Sequence, residues 1–292
     1  MSERWYHVAL TDGRAVTLAA AEGDHPGLAI ANATARVGRA GRVWPIGVAA
    51  APAAPLGESI GRGVVVLPDP PTGLALFEYP AGVVAALGER ARAAIAPGYA
   101  RSTDGGTHVV EAVVAGEAAR DVFLDVIERL PAVDNVEIDV AAHADPVGDR
   151  QVWLTPRLKD ARRALRFLDD FEEDCLTSGH VDVAVYVRAP RSTWRLTQHK
   201  TLLWLSEDAG LTDQLIGWLT RRDLAPCDPL ATVAAGPHLH YRSPRSSARP
   251  RLLARLKSAG LKRVDLPPPS AGGGRAEGGG GAGGGGGGAD RG

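Results

Sequence analysis

The sequence predicts an α+β fold, a small N-terminal ββαβ module followed by a larger α+β domain. Three observations point there. Short β-compatible runs alternate with amphipathic helical stretches, Pro- and Ala-rich chain separates the first module from the rest, and the C-terminus dissolves into glycine. The boundaries read as a module over 1–50, a linker over 51–72, the larger domain over 73–265 and a disordered Gly-rich tail over 266–292.

In the module, "WYHVAL" and "AVTLAA" are strands joined by Thr11-Asp12-Gly13-Arg14, where Asp-Gly supplies the positive φ of a tight turn. A helix follows, with Asp24 or His25 as cap, Pro26 in the first turn and Leu28, Ala31 and Ala35 at helical spacing. "RVWPIGVAA" closes the module as a strand. The linker "AAAPAAPLGESIGRG" leads to "VVVLP", which reads as a further strand.

In the larger domain, "GLALFEY" is read as a strand and "AGVVAALGERARAAI" as a helix. "THVVEAVVAG" is a strand. "EAARDVFLDVIERL" is the clearest helix, with Val122, Phe123, Val126, Ile127 and Leu130 on one face. Strands "NVEIDVAAH" and "RQVWLTPRL", a helix over 160–174 and strand "HVDVAVYVR" complete a βαββαβ order, which is similar to the split βαβ layout of ferredoxin-like domains. A ββα duplication is a second expectation. "VEIDV" and "VDVAV" are offset by 45 residues and "LTPR" and "LTQH" by 42, with Asp160 and Asp208 near the two helix starts; "LATVAAGPHLHYR" with "SARPRLLARLKSAG" forms a degenerate third copy.

The net charge of −1 hides a segregation. Residues 107–185 carry 17 acids and 8 bases, whereas residues 186–264 carry 14 bases and 5 acids. Two halves that face each other, within one domain or across an oligomer, explain the matching amounts. A protein partner or self-association is therefore favoured, with nucleic acid binding through 186–264 as the alternative. The acidic run "DDFEEDC" ends a helix against its macrodipole, a conflict that arginines from a partner would resolve. No stretch is long and apolar enough for a membrane span, which leads to the expectation of a cytoplasmic protein. Cys175 and Cys227 lack CxxC spacing and read as ordinary reduced thiols.

Candidate chemistry centres on histidine. His238-Leu239-His240 in extended chain puts two imidazoles on one side, a geometry that suits a transition metal once a third ligand is found. Sequence names no such ligand nearby, so no metal set is assigned, although His143, Asp145, His180 and His199 each lie at a strand or its end. His199-Lys200-Thr201 resembles one half of the paired His-x-Thr motif of the two-histidine phosphoesterases, which implies acid/base work at a phosphate; the second half is absent. His199, His238 and His240 are thus the catalytic candidates. Trp194, read as near the surface between two arginines, and Arg242, Arg245, Arg249 and Arg251 are the binding candidates. "SPRSS" offers Ser246 or Ser247 as a helix cap before Pro250. The chain has no phosphate loop, dinucleotide fingerprint or nucleophile elbow, and no cofactor follows from it. The expectation is a non-catalytic interaction or regulatory protein, with a histidine- or metal-dependent phosphoesterase or hydrolase as the alternative from another class.

Overall fold

The computed structural model describes residues 4–51, 56–70, 74, 76–88, 94–144, 146–158 and 160–264. The Gly-rich tail over 266–292 and Asp145 lie outside them. The first strands, β1 (Arg4–Thr11) and β2 (Val16–Gly23), form the expected hairpin. In its turn, Gly13 takes φ +89° and the Asp12 carboxylate accepts the amides of Arg14 and Ala15. Helix α1 (Pro26–Val37) is capped by His25, whose ring accepts from the Leu28 amide. After it, β3 (Trp44–Ala51) returns beside β1.

The inward face of α1 differs from the expected one. Gly27, Ala29, Ile30 and Ala33 are buried, while Leu28 is half-buried and Ala35 exposed. Alanine-rich sequence makes several faces equally apolar, and close approach at Gly27 decides among them. A Cβ there would lie 1.9 Å from the Arg242 carbonyl oxygen. The segment expected to be a linker also supplies β4 (Glu58–Gly61) and β5 (Val64–Val66), giving a sheet of order β3-β1-β2-β5-β4.

The expected strand at 73–79 and helix at 81–95 are corrected. Leu76 to Tyr79 are irregular, and Val83 to Ala85 form a strand, β6 (Val83–Ala85). Val83 and Val84 are fully buried, and a short apolar run enclosed on both sides has no periodicity to separate strand from helix. Gly82, at φ +99°, starts β6 against Gly179, where a Cβ would meet backbone at 2.4 Å.

The main sheet follows. Its elements are β7 (Gly98–Asp104), β8 (Thr107–Val113), α2 (Ala118–Arg129), β9 (Asn135–Val140), β10 (Gln151–Leu154) and α3 (Ala161–Asp170). Then come β11 (Val181–Val187), β12 (Ser192–Leu196), β13 (Leu202–Ser206), α4 (Ala209–Thr220), β14 (His238–His240), α5 (Arg249–Ser258) and β15 (Lys262–Val264). The eight strands order as β15-β10-β9-β11-β12-β13-β8-β7, antiparallel throughout, while β14 pairs with β6 in a small separate sheet. A split βαβ layout would put β8 between β10 and β11; instead the β11-β12-β13 meander separates β8 from β9. Asp160 and Asp208 both cap their helices, accepting from the amides of Arg163 and Leu211. The unit before α4 carries an additional strand, β13, that the unit before α3 lacks.

One face of this sheet holds the core. Phe123, Ile127, Leu168, Leu215, Leu219 and Leu256 from the helices pack on Val136, Ile138, Val183, Val185, Leu196 and Leu202. Trp194 and Trp204 lie at its centre with no exposed surface, their indole N–H groups donating to the Phe123 carbonyl and the Thr212 hydroxyl. The expectation that Trp194 sits near the surface is therefore corrected: its alternate position on β12 faces the helices, and Arg195 takes the opposite face. A second core joins the N-terminal sheet and α1 to β6 and Tyr241.

Candidate metal centre

Strand directions collect histidines at one end of the main sheet. The end of β9, the start of β11 and the end of β12 lie side by side because Val140 pairs with Val181 and Leu196 with Val183. His143 follows β9, His180 precedes β11, and His199 occupies the turn after β12. The small sheet is docked onto this end through Gly179, whose amide donates to the Tyr241 carbonyl. That docking brings His238 and His240 into the group, so five of the chain's eight histidines converge.

His199, His238 and His240 form the tightest set. Their ring centroids are 4.8, 4.9 and 4.9 Å apart, and one ligand nitrogen from each lies within 4.8 Å of the others. Alternation along β14 supplies the pair, and His199 is the third ligand that local sequence lacked. His143 stands 4.7 Å from His240 and 5.2 Å from His180, centroid to centroid, at the exposed side of the cluster.

Backbone carbonyls fix the protons of the β14 pair. His238 Nδ1 lies 2.7 Å from the Gly236 carbonyl, and His240 Nδ1 bonds the Gly179 carbonyl. A carbonyl only accepts, so each Nδ1 carries hydrogen and each neutral ring presents a bare Nε2 lone pair. These two Nε2 atoms face each other at 2.9 Å. Two lone pairs at that distance repel unless a proton or a cation sits between them. Burial disfavours the proton: desolvation, followed by contact with the other imidazoles, depresses His199 to about 4. Desolvation likewise depresses His240 to about 3, with the Gly179 carbonyl opposing and the neighbouring histidines adding to the fall. His143 is also held low, chiefly by desolvation. Burial thus holds His143, His199 and His240 toward the neutral form, the protonation state in which histidine ligates a metal.

The turn that presents His199 is heavily tied. The Lys200 amide donates to the Thr197 carbonyl, the Thr201 amide to the Thr197 hydroxyl, and the Gln198 amide to Asp182. Lys200 adopts φ +61° and sends its buried ammonium to the Ser178 carbonyl at 2.6 Å. Burial lowers Lys200 to about 8 and raises Asp182. This left-handed residue breaks the strand at the His-x-Thr segment, so His199 and Thr201 do not continue one extended run.

No protein-family model, curated protein or solved structure matches this chain. Its site is therefore read from its own residues.

The other sequence candidates are spread differently. Arg245 is exposed and pairs with Glu173 at 3.5 Å; Arg249 is buried and donates to the carbonyls of Ala141 and Asp149; Arg251 is exposed; Arg242 donates to the Ser246 carbonyl. Neither Ser246 nor Ser247 caps α5. Ala248 stands at its N-cap, because the Ser246 hydroxyl donates to the Glu173 carbonyl and the Ser247 amide donates to Asp174 at 2.5 Å. The arginines wanted by the acidic run come from the same chain: Arg120 reaches Glu172, Arg245 reaches Glu173, and Arg255 pairs with the buried Asp174. Arg195 with Glu137 and Asp182, and Arg222 with Asp125, extend the internal pairing of the two charge halves.

The sequence reading left His143 and His180 as residues able to approach. Their common signal is position, since each lies just outside a strand at the same end of the sheet, and it becomes legible only once strand order is known.

Proposed function

We propose that this chain is a transition-metal-dependent hydrolase whose metal is held by His199, His238 and His240. The observation that carries the reading is the pair of carbonyl-locked imidazoles whose Nε2 lone pairs face each other at 2.9 Å. Two nitrogens bound to one tetrahedral zinc at about 2.0–2.1 Å are roughly 3.3 Å apart, so a small outward adjustment admits the ion. The carbonyl acceptors are the outer partners that orient metal-binding imidazoles. All three donors are imidazole nitrogens, a set that suits zinc, copper, nickel or cobalt better than magnesium or calcium.

Catalysis is favoured over a purely structural ion by the donor count among the described residues. Structural zinc sites are closed by four protein ligands, commonly including thiolates, while three protein ligands leave a position for water or substrate. Neither free cysteine belongs to the histidine set. A metal held by His199, His238 and His240 would supply Lewis acidity toward water and toward a phosphoryl or carbonyl oxygen. His143, exposed beside His240, is the group suited to exchange protons with solvent.

The interaction-module reading rested on a well-patterned core without a coherent catalytic set, and His199, His238 and His240 now supply a candidate set; the internal ion pairs above join the two matched charge halves within the chain. They also commit several of the arginines that a nucleic acid would use. The ββα duplication, for which the matched Asp160 and Asp208 caps speak, is kept as a proposal about the chain's origin, and two free thiols fit a cytoplasmic setting.

The test is metal-reconstituted hydrolysis of p-nitrophenyl phosphate and p-nitrophenyl acetate. Turnover that tracks bound metal and is lost in His240→Ala supports the reading. Stoichiometric metal without hydrolysis of either class, or hydrolysis indifferent to chelator and to His240→Ala, overturns it.

A further inference from the structure

The N-terminal module contains a cleft of about 620 Å³ between the end of β2, the outer face of α1 and the turn joining β4 to β5. Its volume falls within the roughly 300–1,000 Å³ of small-molecule sites. Arg36 and Arg39 enter from the last turns of α1 and its extension, and Arg62 enters from the opposite wall. None of these three guanidinium groups has an ion-pair partner among the described residues. Nine arginines of the larger domain, by contrast, pair with carboxylates. A helix C-terminus welcomes the positive charge of Arg36 and Arg39, but it does not account for Arg62 on the other side.

Arg36 also reaches across the cleft to Gly61. Its side chain lies over Gly61, where a Cβ would come within 3.1–3.2 Å of Nε, Cδ and Cζ. Glycine at that position leaves room for the Arg36 side chain against the backbone. The remaining polar lining is of a different kind. Glu22 and Asp24 are acceptors, and Asn32, which donates its side-chain amide to the Glu22 carbonyl, offers its own oxygen beside them.

We propose that this cleft binds a phosphate-bearing polyol, its phosphate between Arg36, Arg39 and Arg62 and its hydroxyl groups against Glu22, Asp24 and Asn32. Guanidinium groups match phosphate oxygens with paired N–H donors, and carboxylates accept from sugar hydroxyls. The site is separate from the histidine centre and does not depend on its metal.

Calorimetric titration of the full chain, stripped of metal, tests this with ribose 5-phosphate, ribose and inorganic phosphate at low salt. The expected result is that ribose 5-phosphate binds at least tenfold more tightly than either fragment. The Arg39→Ala/Arg62→Ala variant should weaken it at least tenfold without changing the melting temperature by more than about 2 °C, as both arginines are exposed. His240→Ala and Arg245→Ala should leave it unchanged. Absence of ribose 5-phosphate binding, binding no tighter than that of phosphate alone, or binding unaffected by the double arginine variant would overturn the proposal. Loss in His240→Ala would move the ligand to the histidine centre and overturn it equally.

Discussion

Adding metal to the purified chain should raise its melting temperature through His199, and the size of the rise can be set beforehand. His199 belongs to the main sheet, whereas His238 and His240 belong to β14 of the small sheet, so one ion ties two separately built parts together. An ion that binds the folded state alone stabilises it by RT ln(1 + [L]/Kd), about 2.7 kcal/mol at a hundredfold excess over Kd. In a domain of this size each kcal/mol moves the midpoint by roughly 2–4 °C, so zinc at that excess should add about 5–10 °C. His199→Ala removes the only ligand of the three that comes from the main sheet, and its rise should fall below about 2 °C. The assay is differential scanning calorimetry of chelator-treated protein with and without zinc, at pH 7.5. Equal shifts in wild type and His199→Ala, or no shift in wild type at saturating metal, would refute the reasoning.

Three further outcomes follow from the same geometry. Metal-free protein should lose stability as pH falls from about 6.5 towards 4, because the unfolded chain takes up protons on histidines that burial holds at about 4 for His199 and about 3 for His240; a urea midpoint flat across that window would contradict the burial argument. Trp194→Ala should cost about 3–5 kcal/mol in urea unfolding, since it empties the centre of the core, and a cost under about 1 kcal/mol would return Trp194 to the surface. Asp208→Ala should cost about 1 kcal/mol through loss of its bond to the Leu211 amide, while Asp208→Asn or Ser should restore most of it.

The legibility of this fold in its sequence depended on periodicity. The helix at Val122 to Leu130 has one wet face and one dry one, and β9 and β11 alternate over part of their length, so both were readable. Val83 to Ala85 and α1 were misread in different ways for a shared reason: in alanine- and valine-rich chain the hydrophobic pattern does not choose a face. Backbone approach chose instead, at Gly82 and Gly27, and that information lies in distant partners such as Gly179 and Arg242. Trp194 was misjudged from its arginine neighbours in sequence, which on a strand point the other way.

The histidine centre was half legible. His238 and His240 announced themselves by their spacing, but the missing third ligand is forty residues away and reaches them through a turn fixed by Lys200 and Asp182. The charge segregation was legible as a pattern, and ion pairs within the chain join its two halves: Glu173 and Asp174 meet Arg245 and Arg255.

The most direct measurement is X-ray absorption at the metal K-edge of protein reconstituted with one equivalent of zinc. The account predicts a first shell of nitrogen and oxygen at about 2.0–2.1 Å with outer-shell scattering from three imidazoles, falling to two in His199→Ala. A sulfur shell near 2.3 Å, an outer shell unchanged by His199→Ala, or failure to retain the ion would contradict it.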